Sequence, residues 1–215
     1  MTNQEKEYFC QLLASLFCAP DQELVKQIYQ RTLYSFFEKY IQSWGEGRDL
    51  LEGFLGREGD ENLLRDLKDE YNRLFSGLRE ESISLVESFY KPWTQDLHCS
   101  LPFASERGLL MGDSAVHLSE IYHQCGLDVS EEFKGCPDHI VMELEFLSYL
   151  YELATDIEVK TFIEDHLDWV PLLKEEFGRF HPHPFYVSVL EVLNLFLDKE
   201  RKRLEVYGNG KKKID

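Results

Sequence analysis

Basic side chains are scarce in this sequence. Lysine and arginine number 23 against 40 aspartates and glutamates, a formal net charge of −17 over 215 residues. Such a chain repels polyanions, so nucleic acid and an anionic membrane surface are excluded as main partners, while a basic partner is permitted. An acidic balance also serves solubility alone. Cysteine is sparse: Cys10, Cys18, Cys99, Cys125 and Cys136 are odd in number and include no CxxC pair, so they suggest neither a disulfide framework nor a zinc ribbon. No uncharged apolar run approaches the roughly 18 residues that span a bilayer. The opening MTNQEKEYFC lacks the basic segment and apolar core of a secretory signal. A reduced, cytoplasmic protein without stable membrane insertion is expected. Alternating strand patterns, internal repeats, GxGxxG, P-loop and GxSxG motifs are also missing, so no phosphate-cradling loop or nucleophile elbow is encoded.

Hydrophobic residues make up 43% of the chain, enough for a real core. Their spacing is helical. Tyr8, Leu12 and Leu16 beside Phe9, Leu13 and Phe17 predict a first helix stopped by Pro20. One helical pattern runs from Asp21 to Trp44. Another runs through Leu64, Leu67, Tyr71, Leu74 and Phe75 to Gly77. Periodicity fades between Leu78 and Pro102, resumes from Glu106 to Gly126, and returns in pieces over Phe162–Leu173 and from Pro184 to Tyr207. The fold class is all-α: a single-domain bundle of about 8–11 helices over residues 1–207. The connection 78–102 is a possible hinge between two halves, and the basic tail 208–215 is expected to be disordered.

The stretch Gly135–Leu147 organises the pattern. Gly135 and Pro137 punctuate the chain, Asp138 falls at or near a helix N-cap, and His139 is the side-chain type that titrates near neutral pH. In the helix that follows, Ile140, Leu144, Leu147 and Tyr151 form one apolar stripe. Met142, Phe146, Leu150 and Leu153 form another on roughly the opposite side, so this helix should be buried on both sides.

Four groups of motifs then line up. They are Tyr71-Asn72-Arg73-Leu74-Phe75 with Glu87-Ser88-Phe89-Tyr90; Met111-Gly112-Asp113; Pro137-Asp138-His139-Ile140 with Glu143-Leu144-Glu145-Phe146-Leu147; and His166-Leu167-Asp168-Trp169-Val170-Pro171 with Pro184-Phe185-Tyr186. In this order and spacing the chain, from about residue 8 to 200, resembles the TorD/DmsD family of redox-enzyme maturation chaperones. The resemblance implies an all-α, non-enzymatic chaperone of the cytoplasm, monomer or dimer, with no cofactor or metal of its own. It implies partners too: the twin-arginine signal peptide and the apo catalytic subunit of a molybdopterin oxidoreductase, whose export waits for its cofactor. It points to Tyr71, Leu74, Phe75, Tyr90, Asp138 and His139 as the peptide-binding residues, with Pro137, Glu143 and Trp93 secondary. The family turn reads Glu-Pro-x-Asp-His, whereas Gly135-Cys136-Pro137-Asp138-His139 displaces the proline by one and lacks the glutamate. Asp138 and His139 carry over; a role for Gly135 or Cys136 does not.

The residues suit such a ligand. An arginine pair seeks planar bidentate carboxylates, which Asp138, Glu143 or the Asp128–Glu132 acids could provide. An apolar leader segment seeks a groove lined by side chains such as Leu74, Phe75, Phe89, Tyr90 and Trp93. Plainer readings stand beside these: Asp138 as a cap only, His139 as a buried histidine, Tyr71, Leu74 and Phe75 as core, Glu143 and Glu145 as solvated helix edges. Two other functions remain open: a helical protein-interaction scaffold, and a metal-dependent hydrolase built on His139 and Glu143 with His117 or His123.

Overall fold

Ten α-helices and two 3-10 helices form the regular structure of the described residues. In chain order they are α1 (Asn3–Leu16), α2 (Gln22–Tyr29), α3 (Thr32–Ser43), a 3-10 helix (Arg48–Phe54), α4 (Leu63–Phe75), α5 (Glu87–Tyr90), α6 (Asp113–Gln124), a second 3-10 helix (Glu131–Phe133), α7 (Ile140–Leu153), α8 (Asp156–His166), α9 (Val170–Phe180) and α10 (Pro184–Asn209). The computed structural model describes residues 1–56, 62–77 and 82–209. Residues 78–81 of the expected hinge and 210–215 of the expected tail lie outside them. Among the described residues there is no strand, and no helix is long and apolar enough to cross a membrane. The protein is all-α.

The chain gathers into two compact units. The first takes Met1–Ser15, Ser84–Leu173 and the chain from Leu197; the second takes Leu16–Ile83 and Lys174–Phe196. In the second unit, Phe37 stacks on Phe54 with centroids 5.1 Å apart, and Phe54 meets the edge of Phe185 at 5.8 Å. A Cβ at Gly53 would lie 2.0 Å from the Pro184 carbonyl oxygen, so only glycine fits this approach. The single helix expected over 21–44 is broken. Arg31 adopts a left-handed backbone, φ 57°, between α2 and α3, and the Thr32 hydroxyl donates to the Gln27 carbonyl. Apolar spacing continues across this break, which is why periodicity misses it.

In the first unit, α7 is the central helix. Ile140, Leu144 and Leu147 have no exposed surface, and Tyr151, Phe146 and Leu150 are buried. Met142 is half-buried and Leu153 is exposed, so the second apolar stripe is covered only along its middle. Each buried side chain of this size contributes about 1.5–3 kcal/mol. Thr155 and Glu158 close a reciprocal cap at the start of α8. The helix expected from Glu106 begins only at Asp113. Before it, the backbone folds around Trp93, whose N–H donates to Glu106 and whose carbonyl accepts from Asp113. The Asp113 carboxylate accepts from the Thr94 hydroxyl at 2.8 Å and the Gln95 N–H at 2.9 Å.

Candidate functional site

Two stretches fifty residues apart are stitched together in the first unit. The Ile140 N–H donates to the Leu85 carbonyl at 2.8 Å, and the Glu87 N–H donates to the Asp138 carbonyl at 2.9 Å. The Asp138 carboxylate accepts from the Ser88 N–H at 2.7 Å. The turn leaves in extended conformation through His139 (φ −76°, ψ 141°), so Asp138 faces α5 instead of the helix it precedes. The cap of α7 is therefore His139, whose Nδ1 accepts from the Val141 N–H at 3.2 Å. Asp138 sits one residue earlier and caps α5. Tyr122 fixes the turn from α6, donating to the Pro137 carbonyl at 3.2 Å.

Beneath this junction lie three carboxyl groups, Glu87, Asp138 and Glu143, each with no exposed surface. The reading of Glu143 as a solvated edge is thus corrected; Glu145 is the exposed one. Glu87 accepts from His166 Nδ1 at 2.9 Å and faces the Lys91 ammonium at 2.6 Å, which also meets Asp168 at 2.6 Å. Burial alone would raise the Glu87 carboxyl; the His166 contact and the Lys91 charge outweigh it and hold it below its ordinary value. Glu143 goes the other way. Burial, then the charges of Glu87 and Asp138, push it well above the carboxylate range. One of its oxygens accepts from the Trp169 indole at 3.1 Å, and the other has no hydrogen-bond partner among the described residues. Asp138 is also raised, chiefly by burial, against the Ser88 hydrogen bonds. Burial lowers His139 from 6.5 to about 4, so it stays neutral through the range from pH 5.5 to 7.5 where an exposed histidine would titrate.

Glu87, Lys91, His166 and Trp169 were given no role by sequence reasoning, although they lie in or beside the matched motifs. Only a charged residue set among Leu85, Val86 and Phe89 hinted at Glu87. The chain continues from His166 to His117, whose ring nitrogens are 2.9 Å apart. Tyr90 stacks on Trp169 with centroids 5.0 Å apart and donates to the Ser84 carbonyl at 2.8 Å. Trp93, half-buried, packs its ring on the edge of Phe103. A Cβ at Gly112 would lie 2.6 Å from the Trp93 carbonyl oxygen.

Tyr71, Leu74 and Phe75 belong to the second unit. Leu74 is fully buried, while Tyr71 and Phe75 are half-buried and touch at 5.2 Å. Phe75 also meets Phe177 and the edge of Tyr186. The hydrolase reading is not supported: the His139 Nδ1 is occupied by its own helix, and Glu143 is fully buried with one oxygen on the Trp169 indole. Among the described residues no three His, Cys, Asp or Glu side chains are grouped to hold a metal ion.

Removing the ability of Glu143 to ionise gives a pH test. Its folded proton affinity is raised, so its contribution to stability is fully present below its ordinary value of 4.5 and is lost as pH rises towards the folded value. Each tenfold difference in affinity is about 1.4 kcal/mol. Glu143→Gln keeps the shape but cannot ionise. Thermal melts should show the variant matching wild type near pH 4 and exceeding it near pH 8 by about 1 kcal/mol or more. Equal or lower stability at pH 8 would refute the raised proton affinity of Glu143.

Three stretches that carry the resemblance, around Glu87, Asp138 and His166, thus meet in one buried cluster of an all-helical fold. Residues 46–177 match the family model described as nitrate reductase delta subunit, and the chain belongs to this family, which takes in the TorD/DmsD chaperones. The chain is similar to the chaperone protein TorD of Vibrio parahaemolyticus, 24% identical over 210 residues, covering 90% of this chain and 94% of the relative. It is 28% identical over 213 residues to the chaperone protein TorD of Vibrio atlanticus, covering 90% and 92%. The relative from Vibrio cholerae is 24% identical over 176 residues. These relatives are named as chaperones, and the chain is a redox-enzyme maturation chaperone, not an enzyme.

Proposed function

We propose that the protein works in the cytoplasm on the apo catalytic subunit of a molybdopterin oxidoreductase. It binds the subunit's twin-arginine signal peptide and delays export until the molybdenum cofactor is inserted. The observation that carries this reading is the match to proteins named chaperone protein TorD along nearly their whole length. The charge of −17 supports it, because an acidic surface attracts a basic leader. The motif residues divide by accessibility. Trp93 and His139 of the first unit, and separately Tyr71 and Phe75 of the second, keep exposed surface and are each proposed as leader contacts. Leu74, Tyr90, Pro137, Asp138 and Glu143 are buried and are proposed to position them.

Stopped-flow mixing with a synthetic twin-arginine leader peptide tests the reading. Association should be saturable and should slow as salt rises, because the screening length shortens to about 10 Å at 0.1 M. A salt-resistant remainder should report the apolar contacts. The absence of association at any salt concentration would overturn the proposed function.

A further inference from the structure

The buried state of Asp138 and Glu143 raises the question of where a leader arginine finds its carboxylate. A guanidinium needs an accessible partner in the plane of its fork, and neither of these two acids has exposed surface. Exposed carboxylates stand instead on the rims of two clefts in the first unit. One, of about 230 Å³, is walled by Tyr122, Leu127, Met142 and Phe146, with Asp128 and Glu145 on its rim. The other, of about 290 Å³, is walled by Ile121, Phe146, Leu150, Ile157 and Phe162, with Glu158 and Asp165 at its edge. Phe146 is a wall of both, so α6, α7 and α8 line one interrupted apolar groove. Ile157 is 68% exposed there. No lysine or arginine lines either cleft. Burial raises the Glu145 carboxyl, and no cation stands beside it to offset the effect.

We infer that this groove takes the apolar segment of the client's leader as an amphipathic stretch along α7, with the leader arginines on Asp128 and Glu145. The inference rests on the proposed leader-binding function and goes beyond it by placing the peptide on α6, α7 and α8. The match is one of chemistry: an apolar floor for the apolar run, and acids without competing cations for the guanidinium groups.

The groove carries its own reporter. Cys125 is exposed and lines the second cleft, whereas Cys18 is exposed in the other unit. Iodoacetamide labelling of the wild-type protein, followed by mass spectrometry, should show Cys125 alkylation slowing in proportion to the protein occupied by a twin-arginine leader peptide. Cys18 alkylation should keep its rate. A second arm uses the double variant Asp128→Asn/Glu145→Gln. It should melt like wild type and bind the leader about tenfold or more weakly. If calorimetry shows the leader bound while Cys125 reacts at its free rate, or the double variant binds like wild type, the groove is not the site and the leader-binding function stands. If the wild-type protein does not bind the leader, both fall.

Discussion

Glu200→Ala should destabilise the protein by about 3–5 kcal/mol, the cost of removing one partner from a buried ion pair. Glu200 is 5% exposed in α10 and gathers three donors within the first unit. Lys6 of α1 lies 2.9 Å away with its side chain 3% exposed, the Tyr151 hydroxyl donates at 2.9 Å, and the Arg203 guanidinium donates at 2.9 and 3.0 Å. Burial lowers the Lys6 ammonium even with Glu200 beside it. With alanine at 200 that ammonium would have to deprotonate or draw water inside. Arg203 would keep Asp156 at 2.9 Å. In a chain of this size the loss corresponds to roughly 10 °C in melting temperature. Replacing both partners, Lys6→Met with Glu200→Leu, should recover most of it, because no charge is left unpaired. A melt of Glu200→Ala within 2 °C of wild type, about 1 kcal/mol or less, would remove this pair as the tie between α1 and α10.

The second large effect is expected at Glu87. Alanine there deprives His166 of its acceptor and Lys91 of one of two carboxylates, again at about 3–5 kcal/mol. Glu87→Gln should cost less, about 1.5–3 kcal/mol, since it keeps the shape and gives up the charged hydrogen bonds. The pH dependence separates the contributions. The folded proton affinity of Glu87 is depressed, so its stabilisation is present above its ordinary value of 4.5 and is lost as pH falls through the folded value. Urea unfolding should show the Gln variant losing less stability than wild type on acidification below pH 4.5. Parallel curves for the two proteins would show that Glu87 is not the ionised member of the cluster.

The relation of sequence to structure differs from one level to the next. The long helices follow from apolar spacing: Ile140, Leu144, Leu147 and Tyr151 are buried as their period requires. Spacing does not record a change of direction that leaves the period intact, so the break at Arg31 is hidden. It also cannot show that Trp93 holds residues 103–112 out of helix. The stretch around Pro137, Asp138 and His139 is legible as a helix start, yet which side chain caps it depends on the backbone angle at His139. The Glu87–His166 contact spans 79 residues and has no local signature. Pairings between helices are set by packing, and one sequence shows the two partners only as a glutamate beside Leu85 and Val86 and a histidine between Asp165 and Leu167.

Leader recognition is the central claim, and titration calorimetry with paired peptides tests it most directly. One peptide carries the twin-arginine motif and its apolar segment; the other has both arginines replaced by glutamine. The account predicts saturable one-to-one binding of the first and a loss of about tenfold or more in affinity for the second, the cost of the charge-assisted hydrogen bonds. Equal affinities for the two peptides, or no binding of the twin-arginine peptide, would contradict it.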